Sequence, residues 1–405
     1  MKTINDFHFA GQKALVRVDF NVPLDKQTLQ VTDATRIEAA LPGIQKIIND
    51  GGAVVLMSHL GRPKGAFEDK YSLRHIVAKA SEVLGLPLKF SSTCIGEEAK
   101  NAVAALQMGE VLLLENLRFH SQEEAGDDDF ATHLASLGCH VYVNDAFGTA
   151  HRAHASTCVV ARHFPSDRRL LGLLMERELS NAQKVMHQPT RPLTAILGGA
   201  KVSDKILLIE NLLDKVDNLI IGGGMAYTFF KAMGGQIGKS LVEADKLELA
   251  LAIMQKAREK GVQLLLPTDS VVANAFANDA QTQICDNMHI PDGMMGLDIG
   301  TDSQRVFAEV IGQSKTIFWN GPMGVFEMPN FQQGTKVVAE AIAQVTRNAN
   351  AYSLVGGGDS VAAIQQFGYA DDVSYVSTGG GAMLELLEGK TLPGVAVLQE
   401  GYTGN

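Results

Sequence analysis

Cysteine is scarce in this chain. There are four in 405 residues, Cys94, Cys139, Cys158 and Cys285, and none shows C-x-x-C spacing. A disulfide scaffold and a clustered-cysteine metal site are excluded, and isolated thiols fit a reducing compartment. Aromatic residues are few, at 6% with one tryptophan, and positive charge is outnumbered, with 35 Lys and Arg against 45 Asp and Glu. A basic, aromatic-interleaved nucleic-acid surface is therefore excluded. Long apolar runs are missing as well. The longest, such as 53–57 and 111–114, fall far short of the ~20 residues that span a bilayer. The first ten residues carry Lys2, Asp6 and His8 and lack a signal-peptide core. A cytoplasmic protein without membrane or nucleic-acid partners is expected.

What is abundant is glycine. The chain has 40, with 12 in residues 1–171 and 28 in residues 172–405. Arginine runs the other way, nine before residue 172 and five after it. Glycine in excess inside a folded domain points to tight turns or close backbone approach to a ligand. The charge is split too: residues 1–171 sum to −2 (18 basic, 20 acidic) and the rest to −8 (17 basic, 25 acidic). At roughly 150 residues per domain, the length suits two domains.

Short Val/Ile/Leu-rich runs alternate with helical patterns along the chain. Strands are expected at 14–18, 53–57, 111–114, 141–143, 194–197, 218–221, 263–266, 316–319, 351–355 and 373–376. Helices are expected at 33–49, 72–84, 172–186, 244–260 and 331–347. Repeated strand–helix units predict an α/β fold of two Rossmann-like domains, each a parallel sheet with helices on both faces. The domains are expected over 1–171 and 172–390, joined by a helix and hinge from residue 172. Residues 270–299 read as a hairpin excursion, and the apolar tail at 392–398 is expected to pack on something.

Ligands bind at the carboxyl ends of parallel strands. In the first half those ends deliver Arg17, Asp19 and Asn21, then His59 and Arg62, then Arg118, then Arg152 and His154. Convergent guanidinium groups suit a small, multiply charged anion. In the second half they are glycine-rich: Gly198-Gly199-Ala200-Lys201, the triplet 222–224, Asn320-Gly321-Pro322, the triplet 356–358 before Asp359 and Ser360, and the triplet 379–381. Such loops bring backbone N–H groups and helix N-termini to phosphates. Asp359 is a natural Mg2+ contact. The segment GGQIGKS from Gly234 to Ser240 imitates a Walker A loop, but the required first glycine is Met233. An Arg-bearing acceptor half and a glycine-rich nucleotide half together predict a phosphotransferase that closes on two substrates.

These blocks resemble the phosphoglycerate kinase family, in order and over essentially the whole chain. They include RVDFNVP from Arg17, MSHLGRP from Met57, ENLRFH from Glu115, NDAFGTAHRAH from Asn144, LGGAKV from Leu197, WNGPMGVFE from Trp319, GGGDS from Gly356 and STGGGA from Ser377. The resemblance implies reversible transfer of a phosphoryl group between 1,3-bisphosphoglycerate and ADP, giving 3-phosphoglycerate and ATP with Mg2+. It places the glycerate ligand on Asp19, Phe20, Asn21, Arg36, His59, Leu60, Gly61, Arg62, Arg118 and Arg152. Arg36 is then the catalytic arginine, and Lys201 follows the moving group, with Gly357 and Gly380 at the catalytic helix starts. The nucleotide falls to Gly199, Ala200, Gly223, Gly224, Gly296, Lys205, Asn320 and Glu327, with Gly357, Gly358, Asp359 and Ser360 at its phosphates. Asp359 stands near the metal. The family is usually monomeric, and its C-terminal segment packs back on the first domain. Two other readings have less support. An NAD-dependent dehydrogenase lacks its third fingerprint glycine after 222–224. A non-catalytic binding protein is disfavoured because Arg36, Lys201 and Asp359 are all present.

Overall fold

The computed structural model describes residues 1–399. Residues 400–405, whose docking the sequence leaves open, lie outside them. The described residues divide into two compact units, Met1–Leu179 with 391–399, and Ser180–Lys390. The division falls inside the helix Leu173–Met186.

In chain order the first unit holds β1 (Lys13–Val18), β2 (Ala53–Met57), β3 (Leu88–Phe90), β4 (Val111–Leu113), β5 (Val141–Asp145) and β6 (Arg169–Leu171). They form one six-stranded parallel sheet in the order β3-β4-β2-β1-β5-β6. Side chains alternate between the two faces. Ala14, Val16 and Val18 share a core with Ile37, Ala40, Ile44 and Ile47 of the helix Thr35–Asn49. Leu15 and Arg17 therefore project to the other, equally covered face, which is why Arg17 is fully buried. Strand order reverses at β1/β5, so the carboxyl ends of the central strands border one crevice. Both edge strands, β3 and β6, escape a sequence reading because they have only three residues each, without Val or Ile.

The second unit holds β7 (Leu193–Leu197), β8 (Asn218–Ile221), β9 (Gln236–Ile237), β10 (Gln263–Leu265), β11 (Asp269–Ala273), β12 (Thr282–Asp286), β13 (His289–Ile290), β14 (Met295–Ile299), β15 (Thr316–Asn320), β16 (Tyr352–Val355) and β17 (Tyr375–Val376). Its main sheet is again parallel and six-stranded, in the order β10-β8-β7-β15-β16-β17. Counted along the chain, that is the doubly wound order 3-2-1-4-5-6, with its reversal at β7/β15. Trp319 on β15 packs with Phe307, Ile311, Val338 and Ile342 in the core. The expected hairpin excursion is β11 and β12, and β14 adds a third antiparallel strand beside β11.

The apolar tail returns to the first unit. Gly394 N–H donates to Ala150 O at 2.9 Å, and Asn144 Nδ2 donates to Gly394 O at 3.0 Å. Leu392, Val397 and Leu398 are buried. Among the described residues no helix is long and apolar enough to cross a membrane.

Candidate functional site

In the first unit, β1 ends at a carboxylate and the next helix begins at an arginine. Arg36 NH1 donates to Asp19 Oδ2 at 2.6 Å. Gly61 N–H donates to Asn21 Oδ1 at 2.8 Å, which ties the loop after β1 to the loop after β2. Asn116, just beyond β4, fastens the next pair of loops. Its Oδ1 accepts from Leu60 N–H at 3.2 Å and from Arg118 N–H at 3.0 Å, and its Nδ2 donates to Leu60 O at 2.7 Å. Arg118 NH1 then reaches Gly61 O at 3.0 Å. Phe20 and Leu60 are buried beneath these loops, and their backbone ties the loops together, Phe20 N–H to Ser58 Oγ at 2.8 Å and Leu60 to Asn116. Glu115 accepts from Ser72 Oγ and from the N–H groups of Leu73 and Asn116, so this carboxylate is committed to positioning.

The cluster is strongly electropositive. Burial, then the charges of Arg17, Arg118 and Arg36, hold His59 well below the usual imidazole range. Burial with Arg118, Arg17 and Arg152 brings His154 down to about 4. Arg62 lies close enough to act on Arg118. The structure thus gathers Asp19, Asn21, Arg36, His59, Arg62, Arg118 and Arg152 at one end of one sheet. The histidines there are neutral hydrogen-bonding groups at pH 7, not extra cations. Arg118 Nε and His154 Nδ1 are buried without a partner. Buried polar atoms are rarely left unpaired unless a ligand, ion or water supplies the partner. Sequence reasoning missed the buried Glu123 and its link through Ser156 to Arg17, because neither Glu123 nor Ser156 sits at a strand end or in a motif.

In the second unit, the loops after β7 and β15 cross at the point where strand order reverses. Gly199 N–H donates to Pro322 O at 3.2 Å and Gly223 N–H to Met323 O at 3.2 Å. A Cβ on Gly223 would sit 2.6 Å from Gly199 N, so the approach requires glycine. Beside this crossing lies a cavity of about 680 Å3. Gly199, Ala200, Gly223, Gly224, Gly296, Glu327 and Asp359 line it, together with a mostly apolar wall that includes Leu241, Phe276, Leu297, Pro322 and Val325. Leu241 and Phe276 are 49% and 62% exposed and both line this cavity, so together they offer an apolar wall to a flat ligand. They carry no sequence signal, since they lie on irregular segments outside any motif. The Walker-like segment does contribute: Lys239 lines the cavity, while Ser240 Oγ accepts from Gly296 N–H at 2.9 Å. A Cβ on Gly296 would collide with the Tyr227 hydroxyl.

The other expected nucleotide residues stand next to the cavity rather than on its lining. Lys205 Nζ donates to Asn320 Oδ1, and Asn320 Nδ2 donates to Gly356 O at 2.6 Å. Burial holds the Lys205 ammonium below its usual range. Ser360 is buried, and its hydroxyl accepts from Gly321 N–H at 2.5 Å, which anchors the loop after β15. Gly357, at φ +95°, opens the helix Gly358–Gln366, and Gly380, at φ +44°, opens Gly381–Leu387; a β-carbon is disfavoured at both. Lys201 is exposed. Among the described residues no group of three or more His, Cys, Asp or Glu side chains could hold a metal. A single exposed carboxylate, Asp359, at a helix start beside the cavity fits Mg2+ carried in by phosphate oxygens.

The family model described as phosphoglycerate kinase matches residues 4–390. A phosphoglycerate kinase of Porphyromonas gingivalis is 56% identical, covering 98% of this chain and 100% of its own. One of Chloroherpeton thalassium is 54% identical, with 98% of each chain covered. The solved structure of phosphoglycerate kinase from Coxiella burnetii superposes with a TM-score of 0.87 at 41% identity, over 98% of each chain. With sequence and fold both matching over nearly the whole length, the chain belongs to the phosphoglycerate kinase family.

Proposed function

We propose that the chain's two units divide the binding work of one kinase reaction. That reaction is reversible phosphoryl transfer between 1,3-bisphosphoglycerate and ADP, giving 3-phosphoglycerate and ATP, a step of glycolysis. The glycerate ligand binds the first unit. Arg62, Arg118 and Arg152 grip its phosphate, while Asp19 and Asn21 accept from its hydroxyl. Arg36, held by Asp19, addresses the carboxyl group. The observation that carries this reading is the convergence of these guanidinium groups on neutral histidines, with Arg118 Nε and His154 Nδ1 lacking partners.

The nucleotide binds the second unit, its base against Leu241 and Phe276 and its ribose at Glu327. Its phosphates meet the amides from Gly357 to Ser360, beside Asn320 and Lys205. Asp359 would hold Mg2+, which when bound would supply charge neutralisation to the nucleotide phosphates. The acceptor carboxylate is already ionised at pH 7, so no general base is needed. Catalysis rests on positioning and charge neutralisation, with Lys201, Arg36 and the helix starts at Gly357 and Gly380 acting on the transferred group. We also propose that the enzyme works as a cytoplasmic monomer, which sedimentation analysis checks.

Turnover is measured by coupling to glyceraldehyde-3-phosphate dehydrogenase and following NADH. Lys201→Ala is expected to lose about a hundredfold to a thousandfold in kcat, the usual worth of one transition-state donor. Calorimetry should show that it still binds 3-phosphoglycerate. An unchanged kcat removes Lys201 from the chemistry.

A further inference from the structure

Glu123 lies on the short helix Ser121–Ala125, outside every glycine or arginine motif, and is wholly buried. A carboxylate so placed needs a reason, since a buried ion must be paired and hydrogen-bonded to be tolerated. Both its oxygens are used. Ser156 N–H donates to Oε2 at 2.9 Å, and Ser156 Oγ donates to Oε1 at 2.5 Å. With its proton committed to Glu123, the Ser156 hydroxyl can only accept from its other neighbour, and that neighbour is Arg17 Nε at 2.8 Å. Arg17 is fully buried too. Its remaining nitrogens donate to Val18 O and approach His59 Nδ1 at 3.2 Å.

Arginine has no acceptor and does not lose its charge in proteins. His59 Nδ1 must therefore be the acceptor in that contact, and the ring proton must sit on Nε2. A competitor exists: Asp19 Oδ1 lies 3.9 Å from the same Nδ1. Without Arg17 in place, Nδ1 would take a proton and turn toward that carboxylate. The charged and titratable groups around the ring are Arg17, Arg36, Arg118, His154 and Asp19.

We propose that Glu123 is a positioning residue of the glycerate site: through Ser156 and Arg17 it locks His59 as the neutral Nε2–H tautomer and so presents a hydrogen-bond donor to the ligand. This rests on the reading above that His59 belongs to the glycerate site.

The test is NMR on protein labelled with 15N-histidine, with His59 identified by its loss in His59→Gln. In the wild type, Nδ1 of His59 should be unprotonated and Nε2 protonated throughout pH 6–8, and the Nε2 signal should move when 3-phosphoglycerate is added. In Glu123→Gln, the tautomers should mix and the ring should begin to titrate. The KM for 3-phosphoglycerate should rise roughly tenfold to a hundredfold, the usual worth of a hydrogen bond to a charged group, while the KM for MgATP stays put. A merely structural role would not move the tautomer. Ser156→Ala repeats the test should Glu123→Gln fail to fold. Protonated Nδ1 in the wild type overturns the proposal outright. A responsive His59 whose tautomer is unchanged in the folded variants overturns the relay alone. A His59 signal unmoved by 3-phosphoglycerate overturns the site assignment, and this role with it.

Discussion

A guanidinium wholly out of water is tolerated only where its charge is met and its donors are used. Arg17 satisfies both conditions, and in doing so it sets the chemistry of its neighbours. Burial first, and then its charge with that of Arg118, keep His59 and His154 neutral, with Arg36 adding to the effect at His59 and Arg152 at His154. Arg118 differs: it is half-buried, with NH1 on Gly61 O and NH2 3.4 Å from Glu124, and its Nε is left over. A lysine there would keep the charge but lose the planar fork that grips phosphate oxygens in pairs. Arg118→Lys is therefore expected to raise the KM for 3-phosphoglycerate about tenfold or more, read in the coupled assay, with kcat changed far less. An unaltered KM would show that charge alone suffices. The arginines were legible in the sequence because they sit at strand ends in short motifs. Glu123 was not, because its importance comes from burial and from Ser156, which lies on a different element.

Among the elements, the helix Leu173–Met186 is the most informative. Asp145, the last residue of β5, accepts from Leu174 N–H at 2.8 Å and from Met175 N–H at 3.1 Å, both on Oδ1. Burial pushes this carboxyl from 3.8 up to about 7 against those two donors. An acid whose folded pKa is raised contributes its full stability below about pH 4 and loses it as pH rises toward about 7. Asp145→Asn keeps the accepting oxygen and removes the titration. Urea unfolding should then find the variant close to wild type at pH 4 and more stable at pH 8, by up to about 4 kcal/mol at about 1.36 kcal/mol per pH unit. Asp298, likewise raised to about 7 by burial, keeps its own share of the pH dependence. An equal gap between the two proteins at both pH values contradicts this account. The central strands and long helices were readable because their apolar periods are strong. β14 was not: Met-Gly-Leu-Asp-Ile carries a glycine demanded by Tyr227 and an aspartate that caps the helix Gln333–Ala349 by accepting from Gly334 N–H at 2.8 Å. Local propensity there yields to tertiary packing.

For the whole molecule, the lopsided glycine and arginine counts correspond to two ligand chemistries built on the same kind of sheet. In the proposed division, one unit would recognise its ligand with side chains that carry charge. The other would bring bare backbone and a few apolar side chains up to its ligand, and where its loops cross, as at Gly199 and Gly223, the close approach requires glycine. The chain also does not finish where its second unit does. Residues 391–399 belong to the first unit, with Gly394 strapped to Ala150 and Asn144. The sequence showed that this apolar tail must pack on something; only the resemblance indicated where. The division of labour is the central claim, and one substitution tests it most directly. Gly296 lines the cavity of the second unit, and a methyl group there must collide with Tyr227. Steady-state kinetics of Gly296→Ala should show the KM for MgATP rising at least about tenfold, the order of cost expected for overpacking a tight site, with the KM for 3-phosphoglycerate unchanged. A KM for 3-phosphoglycerate that rises while that for MgATP holds still would contradict the account.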